Sequence, residues 1–231
     1  FAEMINVTGR KNSEKPLTVA GLLMFGREHL IYSVFPNFML DYREYPDDGP
    51  RWTFRLNTGE GRWSGNLFNF YRLVSQRFTG DLDRPRDVGR DMRRIDDTDM
   101  HMAVRECMLN AMIHADYLGR GGIVIEKRPK SLTVSNPGLF RIPVEMAERG
   151  GFSDPRNRYI AKMFSIIGAV ERAGSGVSFV FRTWNAAGYG KPMITENMDV
   201  QNVTFTLPLW REIHGSDELL ELIEEGMKGK K

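Results

Sequence analysis

One segment of this sequence constrains the fold more than any other. Residues 100–117 have helical spacing, and an Asp-Thr-Asp triplet just before them offers an N-cap. Glycines after Tyr117 end the helix, and residues 123–127 and 131–135 then predict two short strands around Pro129. A long helix followed directly by a pair of strands predicts an α/β or α+β fold.

Patterns along the rest of the chain predict further elements of both kinds. Helices are expected at residues 18–25, 66–78, 143–149, 158–170, 177–187 and 216–226, and strands at 37–45, 52–57 and within 193–208. With 231 residues, the chain is long enough to bury a substantial core.

Composition and charge limit the class of protein. The formal net charge is +2, which gives no strong attraction to nucleic acid or membrane. The arginine-rich stretch 80–96 contains five arginines and five aspartates, so it predicts a solvated linker and not a DNA-binding stripe. Apolar runs such as residues 19–25 are too short to span a bilayer. Cys107 is the single cysteine, which suits a reducing cytoplasm, and its helical position predicts a buried thiol.

Polar side chains recur on one face of the long helix. Glu106, Asn110 and His114 are four residues apart and therefore point in similar directions. A carboxylate and a carboxamide one turn apart can hold a water molecule and a hydrated Mg²⁺ side by side, which is the chemistry that an ATP site needs. The alternative is a solvated polar face, with His114 interacting favourably with the helix C-terminus.

Two glycine-containing turns follow that helix. Asn136-Pro137-Gly138 breaks the second strand, and Gly174-Ser175-Gly176 precedes another predicted helix. A glycine turn that opens a helix presents free N–H groups and the positive end of the helix dipole to phosphate. Each turn alone is also a common loop signal. Both turns follow the helix with Glu106 and Asn110 along the chain, and the three features in this order favour a nucleotide site more specifically than any one of them.

The neighbouring Arg156 and Asn157 leave two alternatives open. These side chains either contact phosphate, or they cap the helix that follows and pair with Asp154.

Five stretches together resemble a known bacterial family. They are LTVAGLLMFG, RECMLNAMIHADY, VSNPGLF, SDPRNRYIA and VERAGSGV, and they occur in this order between residues 17 and 177. The family is described as transcriptional regulators or ATP-dependent DNA helicases. Its C-terminal half is similar to the GHKL (Bergerat-fold) ATPases, the group of gyrase, histidine kinases and mismatch-repair proteins.

The resemblance implies a fold and a domain order. The expected fold is a mixed, largely antiparallel sheet with helices on one face. Residues 1–95 would form a smaller α/β portion after a Schlafen/Alba-like DNA-binding domain that this chain lacks. Residues 96–210 would form the ATP-binding domain, and residues 211–231 would be a tail that starts a winged helix.

The resemblance also assigns roles to individual residues. Glu106 would be the general base and Asn110 the Mg²⁺ ligand. Gly138 would lie against adenine, while Gly174 and Gly176 would flank the phosphates of ATP. GHKL ATPases have an aspartate where this chain has Asn136. The oxygen of Asn136 can still accept a hydrogen bond from the adenine amino group, but its NH₂ group then needs an acceptor of its own.

Three functions follow from these expectations. The first is a nucleotide-binding regulatory module whose ATP-dependent order is read by the DNA-binding domain or by a partner in a homodimer. The second is an active Mg²⁺-dependent ATPase. The third is a scaffold for dimerisation or protein contact, with Glu106 and Asn110 making internal hydrogen bonds and no cavity beside Glu106. The sequence contains no G-x-x-x-x-G-K-[ST] phosphate loop, so nothing in it supports a helicase motor.

Overall fold

The computed structural model describes residues 17–78, 99–169 and 176–210. The predicted linker at 80–96, the tail helix at 216–226 and Gly174 lie outside these residues. Within them the chain forms seven helices and six strands in one sheet. No helix in the described ranges is long and apolar enough to cross a membrane.

The first described range contains three helices and two strands. They are α1 (Val19–Phe25), α2 (Glu28–Val34), β1 (Leu40–Glu44), β2 (Phe54–Asn57) and α3 (Leu67–Phe78). Thr18 caps α1, because its hydroxyl accepts a 3.0 Å hydrogen bond from the backbone N–H of Gly21. The sequence patterns did not predict α2. This helix has seven residues, a segment too short for a helical period to stand out, and Ile31 is its single buried residue.

The other two ranges contain the remaining elements. They are α4 (Asp99–His114), β3 (Ile123–Arg128), β4 (Ser131–Pro137), α5 (Val144–Arg149), α6 (Arg158–Ile166), α7 (Gly176–Ala186), β5 (Met193–Asn197) and β6 (Asn202–Pro208). All of them were predicted, and their ends differ from the predicted ones by at most four residues.

The six strands form a single open sheet in the order β2-β1-β3-β4-β6-β5. All neighbouring pairs are antiparallel except β1 and β3, which are parallel. The prediction of a mixed, largely antiparallel sheet is therefore confirmed. Strands β1 and β2 extend the same sheet as the later strands, and a boundary between folding units near residue 95 stays a prediction.

Alternate residues of the central strands are buried. In β4, for example, Leu132, Val134 and Asn136 are buried, while the residues between them are partly exposed. This period of two is expected when helices cover one face of a sheet. Helix α4 packs against β4 and against α3, α6 and α7. Nine of its sixteen residues are buried, so it forms the centre of the helical layer.

Candidate functional site

A cavity of about 340 Å³ lies between the sheet and the helical layer. It is lined by α4, the end of β4, residues 138–142 and 152–155, α6, the start of α7 and part of β6. Its volume falls in the range of small-molecule sites, roughly 300–1,000 Å³. Every predicted site residue within the described part of the chain lines it, namely Glu106, Asn110, Asn136, Gly138 and Gly176.

Glu106 and Asn110 are half-buried on α4 and contact each other. The Nδ2 of Asn110 donates to the backbone carbonyl of Glu106 at 2.9 Å and to Glu106 Oε1 at 3.2 Å. These bonds fix the orientation of the amide. Its Oδ1 accepts no hydrogen bond from the described residues. An amide oxygen is a suitable ligand for Mg²⁺, which prefers oxygen donors and often uses few protein ligands.

Gly176 brings the first residue of α7 directly against this pair. A Cβ at position 176 would overlap Glu106 Oε1 and lie 3.1 Å from Asn110 Nδ2. The absence of a side chain therefore lets the backbone of α7 approach the Glu106 carboxylate. The N-terminus of α7 and the polar face of α4 thus form adjacent walls of the cavity.

Gly138 lies at the end of β4 with φ of 91°, a backbone conformation that favours glycine. Its N–H donates to the carbonyl of Gln201 at 2.7 Å. A Cβ there would stand 3.1 Å from the Cβ of Asp116 and 3.2 Å from Arg156 Nη2. Strain and crowding both favour glycine at this position of the cavity wall.

Asn136 is 7% exposed and also faces the cavity. Its Nδ2 donates to the carbonyl of Pro137 at 3.0 Å. That bond supplies the separate acceptor which the amide requires if its oxygen is to bind a ligand. Within the described ranges, Oδ1 receives no hydrogen bond, so it is available as an acceptor in the cavity.

Arg156 and Asn157 do not follow the alternative in which they cap α6 and pair with Asp154, and a contact with phosphate stays a prediction. Asn157 Nδ2 donates to the carbonyls of Ile113 at 3.0 Å and Ala115 at 2.8 Å, and it makes no side-chain cap for α6. Arg156 Nε donates to the carbonyl of His114 at 3.1 Å. Asp154 pairs instead with Arg141 and Arg158. Both side chains therefore satisfy the C-terminal carbonyls of α4.

Two ionisable side chains of α4 have shifted pKa values. Burial lowers the pKa of His114, and the positive charge of Arg156 lowers it further, so the imidazole is neutral near pH 7. Burial also raises the pKa of the Cys107 thiol, which is 1% exposed. This agrees with the predicted buried thiol at position 107.

Several residues that line the cavity were not singled out in the sequence. They include Phe140, Arg141, Phe152, Lys162 and Ser165. Helical spacing places Lys162 and Ser165 off the apolar stripe of α6, but spacing alone does not distinguish a cavity wall from open solvent. For the loop residues, the sequence carried no signal of their position.

Comparison with known families gives a partial match. A family model described as "Putative ATP-dependent DNA helicase recG C-terminal" matches residues 121–205. This segment runs from the start of β3 into β6 and contains Asn136, Gly138 and Gly176, but not α4 with Glu106 and Asn110. A second model, of a domain of unknown function, matches residues 1–41. The first match supports an ATPase-like domain, which suggests a nucleotide-binding module.

A solved structure has a similar fold. The crystal structure of the DIP2311 protein from Corynebacterium diphtheriae is similar with a TM-score of 0.63 and 21% sequence identity. The likeness covers 92% of this chain but 34% of that protein, so this chain spans about a third of its length. At this identity the likeness concerns the fold alone. No curated protein sequence matches the chain.

Proposed function

We propose that this chain is the nucleotide-binding module of a DNA-associated regulatory protein and that it binds Mg-ATP in the cavity beside α4. One observation carries the proposal. Residues from distant parts of the sequence, including Glu106, Asn136 and Gly176, line the same cavity. The family match over residues 121–205 supports a nucleotide as the ligand.

Each end of the ligand has a chemically suited partner. Asn136 Oδ1 accepts from the amino group of adenine, and the crowded backbone at Gly138 lies against the base. Asn110 Oδ1 would hold Mg²⁺, and the N-terminus of α7 near Gly176 would bind the phosphates. Gly174 would complete the phosphate side, and it lies outside the described residues. Mg²⁺ would supply charge neutralisation for the phosphates.

The regulatory part of the proposal depends on a longer protein. The structural neighbour is about three times the length of this chain, and the family description names a DNA helicase. DNA would be bound by an N-terminal domain outside this chain. Nucleotide binding would order the surroundings of Gly138 and Gly174, and that order would be read by this domain or by the partner in a homodimer.

Titration calorimetry with Mg-ADP and Mg-ATP tests the binding directly. The chain is expected to bind both nucleotides, and Asn110→Ala is expected to weaken the Mg²⁺-dependent part of the affinity by about 10- to 150-fold, since a charge-assisted contact contributes roughly 1.5–3 kcal/mol. Binding measured in EDTA should change much less. Asn185→Ala, an exposed position on α7, is the matched control. The proposal is excluded if millimolar nucleotide produces no binding heat and no thermal shift.

An ATPase is the second candidate function. It is favoured by the Glu106 carboxylate, which lines the cavity next to Asn110 and Gly176. A carboxylate there could orient a water molecule towards the phosphates. The scaffold alternative explains the Asn110–Glu106 hydrogen bond equally well, but it requires that no cavity lies beside Glu106. The cavity of about 340 Å³ argues against it.

A further inference from the structure

We infer that Lys162 on α6 binds the phosphate groups of the nucleotide, an inference that rests on the proposed function and specifies a nucleoside di- or triphosphate as the ligand. No role was expected for this residue. The expected phosphate contacts were backbone groups at the glycine turns, together with Mg²⁺.

The packing of α6 turns Lys162 towards the cavity. Ile160, Met163 and Phe164 are buried and fix the orientation of the helix against the core. The neighbouring Ala161, Lys162 and Ser165 then line the cavity. Lys162 is exposed, so its ammonium group remains accessible to a ligand. Its flexible four-carbon stem carries a compact positive charge with three donors, which suits phosphate oxygens.

Within the described ranges, the charges around the cavity distinguish Lys162 from the other basic side chain of the wall. Among the described residues that line the cavity, the lysine and arginine side chains are Lys162 and Arg141. Arg141 Nε is paired with Asp154 Oδ2 at 3.0 Å. Lys162, in contrast, has no acidic partner in the described part of the chain.

The acidic side chains of the cavity make such a cation necessary. Glu106 and Asp154 also line it, so a bound polyphosphate would meet carboxylates as well as cations. Burial lowers the pKa of His114, which therefore adds no positive charge near pH 7. Mg²⁺ at Asn110 and the ammonium group of Lys162 would together offset the negative charge of the phosphates.

The part of the cavity proposed for the base is largely apolar. Val134, Val203 and Phe205 line the cavity together with Asn136, and these neighbours suit an aromatic base and its amino group. A charge at Lys162 is therefore expected to affect the affinity for phosphate groups and not the affinity for the nucleoside. This difference separates a phosphate-binding role from a general effect on the fold.

Competition binding against a fluorescent ADP analogue tests the inference with ATP, ADP and adenosine. Lys162→Gln is expected to weaken the affinity for ATP and ADP by about 3- to 10-fold, the effect of one solvent-accessible charge-assisted contact. The affinity for adenosine should stay unchanged. Lys162→Arg should retain most of the affinity. The affinity of Lys162→Gln for ATP should also depend less steeply on salt concentration. Lys191→Gln, an exposed position outside the cavity, is the control.

The outcomes distinguish this inference from the proposed function. If the wild-type chain binds no ATP, both fail. If wild type and Lys162→Gln bind ATP equally, the role of Lys162 is overturned while the nucleotide site stands. Equal losses for ATP and adenosine would also overturn it, because they indicate a change of structure. Unfolding midpoints of each variant establish that the fold is retained.

Discussion

Asn136 holds its amide in one orientation towards the cavity. The carbonyl of Pro137 accepts from Nδ2, and turning the amide over would place two acceptor oxygens against each other. Oδ1 is therefore a fixed acceptor that carries no charge. Recognition of an amino group at this position would need no carboxylate, and it would not change with the protonation of residue 136.

Glu106 is the residue at which binding and catalysis can be separated. Glu106→Ala and the matched-size Glu106→Gln are both expected to reduce ATP turnover by about 10²–10⁴-fold, the contribution of a positioned general base. Nucleotide binding should survive, because the carboxylate is not a proposed ligand of ATP. Phosphate release is measured alongside calorimetric binding. Turnover that persists unchanged in both variants would indicate a contaminating enzyme and remove the ATPase candidate.

At the scale of elements, α4 is held by contacts that come from two distant segments. The start of α7 packs on its middle through Gly176, and Arg156 and Asn157 bind the carbonyls at its C-terminus. Periodicity predicted α4 and α7 as helices, with the glycine turn before α7. It did not predict α2, and it gave no account of which carbonyls Asn157 would bind, because such contacts join residues more than 40 positions apart.

Asn157→Ala tests how far this anchor positions α4. The carbonyl of Ala115 loses the side-chain donor of Asn157, while that of Ile113 keeps the backbone N–H of residue 157, and the free energy of unfolding is expected to fall by about 1–3 kcal/mol. Hydrogen exchange should increase in the last turn of α4. Nucleotide affinity should weaken as well, since α4 forms one wall of the cavity. Denaturation and exchange are compared with Asn37→Ala, an exposed position. Unchanged exchange at residues 111–115 would contradict the anchoring role.

At the scale of the whole molecule, a buried carboxylate links the edge strand β2 to its neighbour β1. Asp41 on β1 is fully buried and accepts hydrogen bonds from Arg55 on β2 and from Arg43, which also contacts Glu126 on β3. Burial alone would raise the pKa of Asp41. The hydrogen bonds from Arg55 and Arg43 outweigh it and hold the pKa below its usual value.

This ion-pair cluster predicts a loss of stability in acid. Because the pKa of Asp41 is lowered in the folded state, its contribution is present above the unfolded-state pKa of about 3.9 and is lost as the pH falls below that value. Urea unfolding between pH 7 and pH 2.5 measures it. Asp41→Asn should destabilise the chain by roughly 1–3 kcal/mol at pH 7, and its free energy of unfolding should then fall less steeply as the pH is lowered. The exposed Asp48→Asn should show neither effect. If the free energy of unfolding of Asp41→Asn fell as steeply with decreasing pH as that of wild type, the role of Asp41 in acid stability would be contradicted.

The sequence by itself determined most of the helices and strands, because periodicity, caps and glycine turns are local properties. It also indicated the polar residues that line the cavity, and the resemblance to a family gave them roles. Only the tertiary structure decided that β1 pairs with β3, that Pro137 orients Asn136 and that Lys162 faces the cavity. The first and last of these features depend on contacts between segments distant in the chain, and no local pattern records which segments meet; the bond between Asn136 and its neighbour Pro137 is local, but only the fold turns the free oxygen of that amide into the cavity.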